Sequence, residues 1–107
     1  MSSLSTHVLD SGRGIPASGI AVTVSALGDA AAQRTLITDE SGRISALLTD
    51  ADPGRYRLAY DLGPLGSPDH PSLYPWVEIE VVIDPDRHHH VVLTLSPGGY
   101  FVACVPG

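Results

Sequence analysis

Three consecutive histidines, His88, His89 and His90, head an apolar run, HHHVVLTL, and His7 lies inside STHVLD near the other end of the chain. An imidazole titrates near neutrality, ordinarily at about 6.5, so each can take a proton from water or return one. Side chains alternate across a strand. If both runs are strands, His88 and His90 share a face with Val92 and Thr94, and His89 points the other way with Val91, Leu93 and Leu95. His7 likewise shares a face with Leu9, while Thr6, Val8 and Asp10 take the other. Two imidazoles two residues apart could also chelate zinc. A catalytic zinc site normally takes three protein ligands, however, and no carboxylate or cysteine converges in this pattern. The expectation is therefore acid–base chemistry with no metal and no organic cofactor. An ordinary surface position is the alternative for each histidine. Cys104, the lone cysteine, sits in the apolar tail YFVACV. It is a nucleophile if an imidazole stands near, and otherwise a small buried side chain.

The elements that must position these groups read as strands. Short β-branched runs recur between glycines and prolines: residues 5–10, 20–27, 35–38, 43–47, 55–60, 77–83, 88–95 and 100–105. Val77, Ile79, Val81 and Ile83 alternate with Glu78 and Glu80, the two-residue period of a half-buried strand. DESG and DADPG read as turns. Residues 30–33 read as either one helical turn or a loop. DLGPLGSPDHPSLYP, residues 61–75, holds four prolines and two glycines, so a long loop is expected there. Tyr74 and Trp76 at its end read as packing or pocket wall. About eight strands with almost no helical periodicity predict an all-β, antiparallel sandwich.

The 107 residues fit one domain, 1–107, with 43% hydrophobic and 17% charged residues, a globular composition. A core of this size is thin, and oligomerisation is a common remedy. The net charge is −6 and all six cations are scattered arginines, which argues against nucleic acid or anionic lipid as a partner. One cysteine makes no internal disulfide. MSSLSTHVLD lacks the basic and apolar regions of a secretory signal, and no apolar run approaches the roughly 20 residues of a membrane span. These features predict a soluble cytoplasmic protein.

Taken in order, THVLDSGRGIPASGIAVTV, TDESGRI, DPGRYRLAYD and RHHHVVLTLSPGGY resemble the transthyretin and 5-hydroxyisourate hydrolase family over nearly the whole chain. The resemblance implies a transthyretin-like, eight-stranded β-sandwich. It implies edge-to-edge dimers through the last strands, packed as a homotetramer (a dimer of dimers) with active sites in the channel between dimers. The hydrolases carry a histidine in the first strand, an arginine after the second turn and a histidine in the late strand. By position these are His7, Arg43 and His90, the expected catalytic set. Transthyretin lacks that set.

The tail departs from the pattern. Where the hydrolases end in Tyr-Arg-Gly-Ser, counting from Tyr100 gives Ala103, Cys104, Val105 and Pro106. The family's short helix after RYRLAYD also gives way to the Pro/Gly loop. An arginine there would grip a polar ring or an oxyanion, and Cys104 cannot replace it. A greasier pocket follows, with His88, Tyr100 and Cys104 as expected substrate contacts. Three functions stay open. The first is a hydroxyisourate hydrolase-like enzyme acting on a small cyclic substrate. The second is a repurposed cyclase or isomerase of specialised metabolism with a more apolar substrate. The third is a non-enzymatic small-molecule binding protein.

Overall fold

The computed structural model describes residues 1–67, 69 and 74–106. Its strands are β1 (Ser2–Asp10), β2 (Ile15–Pro16), β3 (Ala21–Ala26), β4 (Asp29–Ile37), β5 (Arg43–Ala51), β6 (Gly54–Asp61), β7 (Trp76–Ile83), β8 (His88–Ser96) and β9 (Gly99–Pro106). They form two sheets. The first runs β2-β1-β8-β9, with β5 also paired to β1; the second runs β4-β3-β6-β7. The all-β sandwich expected from the sequence is the architecture observed. Its eight strands are joined by the two-residue β2, which pairs Leu9 with Pro16 and Asp10 with Ile15.

Alternation builds the core. Leu4 and Val8 of β1 and Val91 and Leu93 of β8 are fully buried, as are Val22, Leu58 and Tyr60 of the second sheet. The intervening residues of β1 and β8 therefore lie on the outer face of the first sheet, where His7, His88 and His90 are. Packing of this kind supplies most of the stability, at about 25 cal/mol per Å² of apolar surface removed from water.

The strands are antiparallel except for one pair: β1 and β8 run parallel, with Ser3 beside His88, Ser5 beside His90 and His7 beside Val92. Nearly the whole chain separates them, so no hairpin dictates their direction. The start of β1 is tied to the turn before β8. The Met1 amine bonds the Asp86 carboxylate, the Ser2 hydroxyl donates to the Asp84 carbonyl, and Ser3 N–H donates to the Arg87 carbonyl.

Two expectations change. Residues 30–33 belong to β4, because the chain turns at Leu27–Gly28 and pairs back on β3 from Ala26↔Asp29 to Ala21↔Ile37. Cross-strand pairing overrides the local helix propensity of the alanine run there. In the expected loop at 61–75, Gly63–Leu65 makes one 3₁₀ turn. Residues 68 and 70–73 of that loop lie outside the described residues. Among the described residues no helix is long and apolar enough to cross a membrane.

Candidate functional site

A β-turn and two strand registers assemble the site. In DESG the Asp39 carboxylate accepts bonds from Ser41 N–H at 2.9 Å, the Ser41 hydroxyl at 2.8 Å and Arg43 N–H at 3.0 Å. Donation by the Arg43 backbone and the Ser41 hydroxyl holds this carboxyl below the ordinary carboxylate range. Gly42 adopts φ +77°, a region that favours glycine, and a Cβ there would stand 2.4 Å from the Val8 carbonyl oxygen. The turn thus lies flat on β1, with the Gly42 carbonyl accepting from Val8 N–H at 2.8 Å. β5 leaves this turn with Arg43 paired to His7 and Ile44 paired to Thr6. Ile44 and Thr6 point into the core; Arg43 and His7 point out.

On the other side of β1, the parallel register places Ser5 beside His90. A buried strut fixes it. The Thr6 hydroxyl donates to the Val91 carbonyl at 2.8 Å, which leaves Thr6 to accept from the Tyr60 hydroxyl, also at 2.8 Å. Burial pushes the Tyr60 phenol up to about 12. One bond chain therefore links the second sheet to both strands of the site.

The result is a cleft of about 410 Å³ on the outer face of the first sheet. Arg43, Ser45, Ser5, His88, His90 and Val105 line it. His7 stands just beside it, its ring centroid 6.4 Å from that of His90. His7 Nε2 meets the Ser41 carbonyl at 2.8 Å. A carbonyl only accepts, so this nitrogen carries the proton and neutral His7 keeps its lone pair on Nδ1. Burial, then the charges of His7, Arg43 and His88, hold His90 below the ordinary imidazole value. His90 is thus a neutral base at physiological pH, next to a permanent guanidinium cation. That pairing can deprotonate water and stabilise an oxyanion.

The expected catalytic residues His7, Arg43 and His90 come together, and His88 joins them. Two expected substrate contacts do not. Tyr100 pairs with Leu95 and Cys104 with Val91, so both lie on the core-facing side of β9, away from the imidazoles. Tyr100 instead stacks edge-on against Tyr74 at 5.1 Å, while Cys104 is exposed on this edge strand. Residues directly opposite in a ladder share a face, and His90 opposes Val105, so Val105 is the tail's contribution to the cleft. His89 is buried, its Nε2 accepting from Asp84 N–H at 3.0 Å. Trp76 is exposed and donates to Glu78 at 3.0 Å. Ser3 and Ser5 were missed from the sequence. Alternation puts Ser5 on the face of His7, but only the parallel register with β8 gives Ser3 and Ser5 their histidine partners. Among the described residues no three His, Cys, Asp or Glu side chains group as metal ligands.

Comparisons with known proteins agree on the kinship. The sequence model of the HIUase/Transthyretin family matches residues 4–102. A 5-hydroxyisourate hydrolase of Mus musculus is 37% identical over 107 residues, covering 92% of this chain and 91% of that protein. The structure of Klebsiella pneumoniae 5-hydroxyisourate hydrolase superposes with a TM-score of 0.80 at 33% identity, over 100% of this chain and 94% of the other. Transthyretin from Sparus aurata superposes with a TM-score of 0.85 at 27% identity, over 98% and 97%.

Proposed function

The chain belongs to the HIUase/transthyretin family, and on that premise we propose that it is a 5-hydroxyisourate hydrolase-like enzyme whose active site is the His90–Arg43 cleft. The observation that carries this reading is the meeting of His90, Arg43 and His7 on one outer face, brought there by three strands. His90 takes a proton from water as the water oxygen adds to a ring carbonyl of the substrate. Arg43 holds the oxyanion that forms; as the carbonyl returns the ring C–N bond breaks, and His90 hands its proton to the leaving nitrogen. His7, fixed by Ser41, orients the water or the substrate through Nδ1. The imidazoles and the guanidinium suffice for this sequence of steps.

The cleft is open to solvent in a single chain, and we assign its missing wall to a second copy. β9 and β7 have unpaired edges in the two sheets, which suits edge-to-edge pairing into a dimer. Phe101 shares the outer face with His90 and is 66% exposed. Two dimers stacked on these faces would form a homotetramer and close the channel.

A second reading is favoured by Val105. It puts an apolar side chain on the cleft where the hydrolases of the family carry glycine, as expected of a repurposed enzyme with a more apolar substrate. The deciding experiment follows 5-hydroxyisourate by absorbance with purified protein. Loss well above spontaneous decay supports hydrolysis. A rate equal to buffer removes that reading, and restoration of activity by Tyr-Arg-Gly-Ser at positions 103–106 would assign the loss to the tail.

A further inference from the structure

A row of hydrogen bonds runs from His90 along the outer face to the start of β1. His90 Nδ1 lies 2.6 Å from the Ser5 hydroxyl. The same hydroxyl lies 2.9 Å from His88 Nε2, and His88 Nδ1 lies 2.6 Å from the Ser3 hydroxyl. All three distances are those of real hydrogen bonds. Each hydroxyl has one proton to give. Ser5 therefore donates to one histidine and accepts from the other, and the row has two self-consistent states. In one, Ser3 donates to His88 Nδ1, His88 Nε2–H to Ser5, and Ser5 to His90 Nδ1, which leaves the His90 proton on Nε2. In the other every bond is reversed, and His90 Nε2 carries a free lone pair.

We propose that Ser3, His88 and Ser5 form a proton relay serving His90, which lets the proton taken from water leave the cleft without an imidazolium accumulating there. The proposal rests on the hydrolytic reading above and deepens it. The step starts in the second state. The water oxygen bonds to the carbonyl carbon while its proton goes to His90 Nε2. His90 Nδ1 gives its proton to Ser5, Ser5 gives its own to His88 Nε2, and His88 Nδ1 gives its proton to Ser3. The original Ser3 proton passes to solvent, which a half-buried hydroxyl can reach. One proton enters, one leaves, and no residue changes charge. The reverse shift takes a proton from solvent and returns one from His90 Nε2 to the leaving nitrogen.

Two features favour such a relay over a stored charge. Arg43 lines the same cleft and is always cationic, so a second cation at His90 is repelled. His7 is committed through Nε2 to the Ser41 carbonyl and takes no part in the row. The parallel register, Ser3 beside His88 and Ser5 beside His90, keeps all four side chains in line. Ser3, His88 and Ser5 act through His90 and are positioning residues, not groups that meet the reacting atoms.

The test replaces the hub. Ser5→Ala removes both central bonds with little change in volume. Its kcat should fall about 100-fold, the low end for a lost proton-transfer route, with KM within about twofold. A plot of rate against deuterium fraction should be curved for the parent protein and linear for Ser5→Ala. Ser5→Thr, which keeps the hydroxyl, should restore most of kcat and the curvature. Retention of kcat and curvature by Ser5→Ala would overturn the relay. A second readout is independent of turnover: imidazole ¹⁵N spectra near pH 7.5. His88 and His90 should each show an average of two tautomers in the parent and single, uncoupled tautomers in Ser5→Ala. Fixed tautomers in the parent sink the relay even if the protein hydrolyses 5-hydroxyisourate. Averaged tautomers in a protein that does not hydrolyse it support the relay and sink the substrate.

Discussion

Arg43 and His90 carry the chemistry in this account, and they make separate predictions. Arg43→Ala should lower kcat on 5-hydroxyisourate by about 100–1000-fold, the usual loss when one oxyanion donor is removed. Arg43→Lys should recover only part, since an ammonium lacks the planar fork; steady-state kinetics read both. His90 sits below the ordinary imidazole value, chiefly because it is partly buried. The base form therefore persists to lower pH than a free imidazole would allow. The acid limb of kcat/KM should accordingly fall below about pH 6.5. The sign for stability follows. Between the folded value and the ordinary one the unfolded chain binds more protons, so acidification through that window destabilises the fold. An NMR titration of His90 together with urea melts at several pH values checks both. At this scale the sequence was informative where alternation decides the outcome, as in the separation of His89 from His88 and His90. It was uninformative for Ser3 and Ser5, because serine is common on outer strand faces and only the parallel register with β8 gives these two their partners.

The turn at 39–42 and the strut through Thr6 hold the site at the level of elements. Gly42→Ala meets both a positive φ and the Val8 carbonyl. It should destabilise the chain by at least about 2 kcal/mol in denaturant melts and lower activity, since Arg43 and the Ser41 carbonyl both leave this turn. Tyr60→Phe removes only the proton donated to Thr6. It should cost about 1 kcal/mol, the ordinary net worth of one hydrogen bond, read as a shift in urea midpoint with unchanged m-value. The strands and turns were largely legible because apolar alternation and Gly/Pro punctuation mark them. β1 extends back to Ser2, which polar SSLS did not reveal, because its anchoring lies in bonds to Asp84 and Arg87 some eighty residues away. The facing of β9 was not legible either. A one-residue change in register turns every side chain over, and the two-residue turn between Ser96 and Gly99 places Val105, not Cys104, beside His90.

For the whole molecule, closing the cleft takes more than one copy. Light scattering at micromolar concentration should give the mass of four chains. Phe101→Glu, which puts a charge on the exposed outer face, should shift the assembly to a smaller species and lower activity with it. The family pattern in the sequence pointed to this assembly, while the strand edges and outer face that would form it are visible only once the sheets are ordered. The most direct measurement of the central claim is a double-mutant cycle on 5-hydroxyisourate turnover with Arg43→Ala, His90→Ala and both together. The parent rate should lie far above spontaneous decay, each single change should cause a large loss, and the double variant should be little worse than either, because the two groups act on one transition state. A parent rate equal to buffer, or single variants as active as the parent, would contradict that claim.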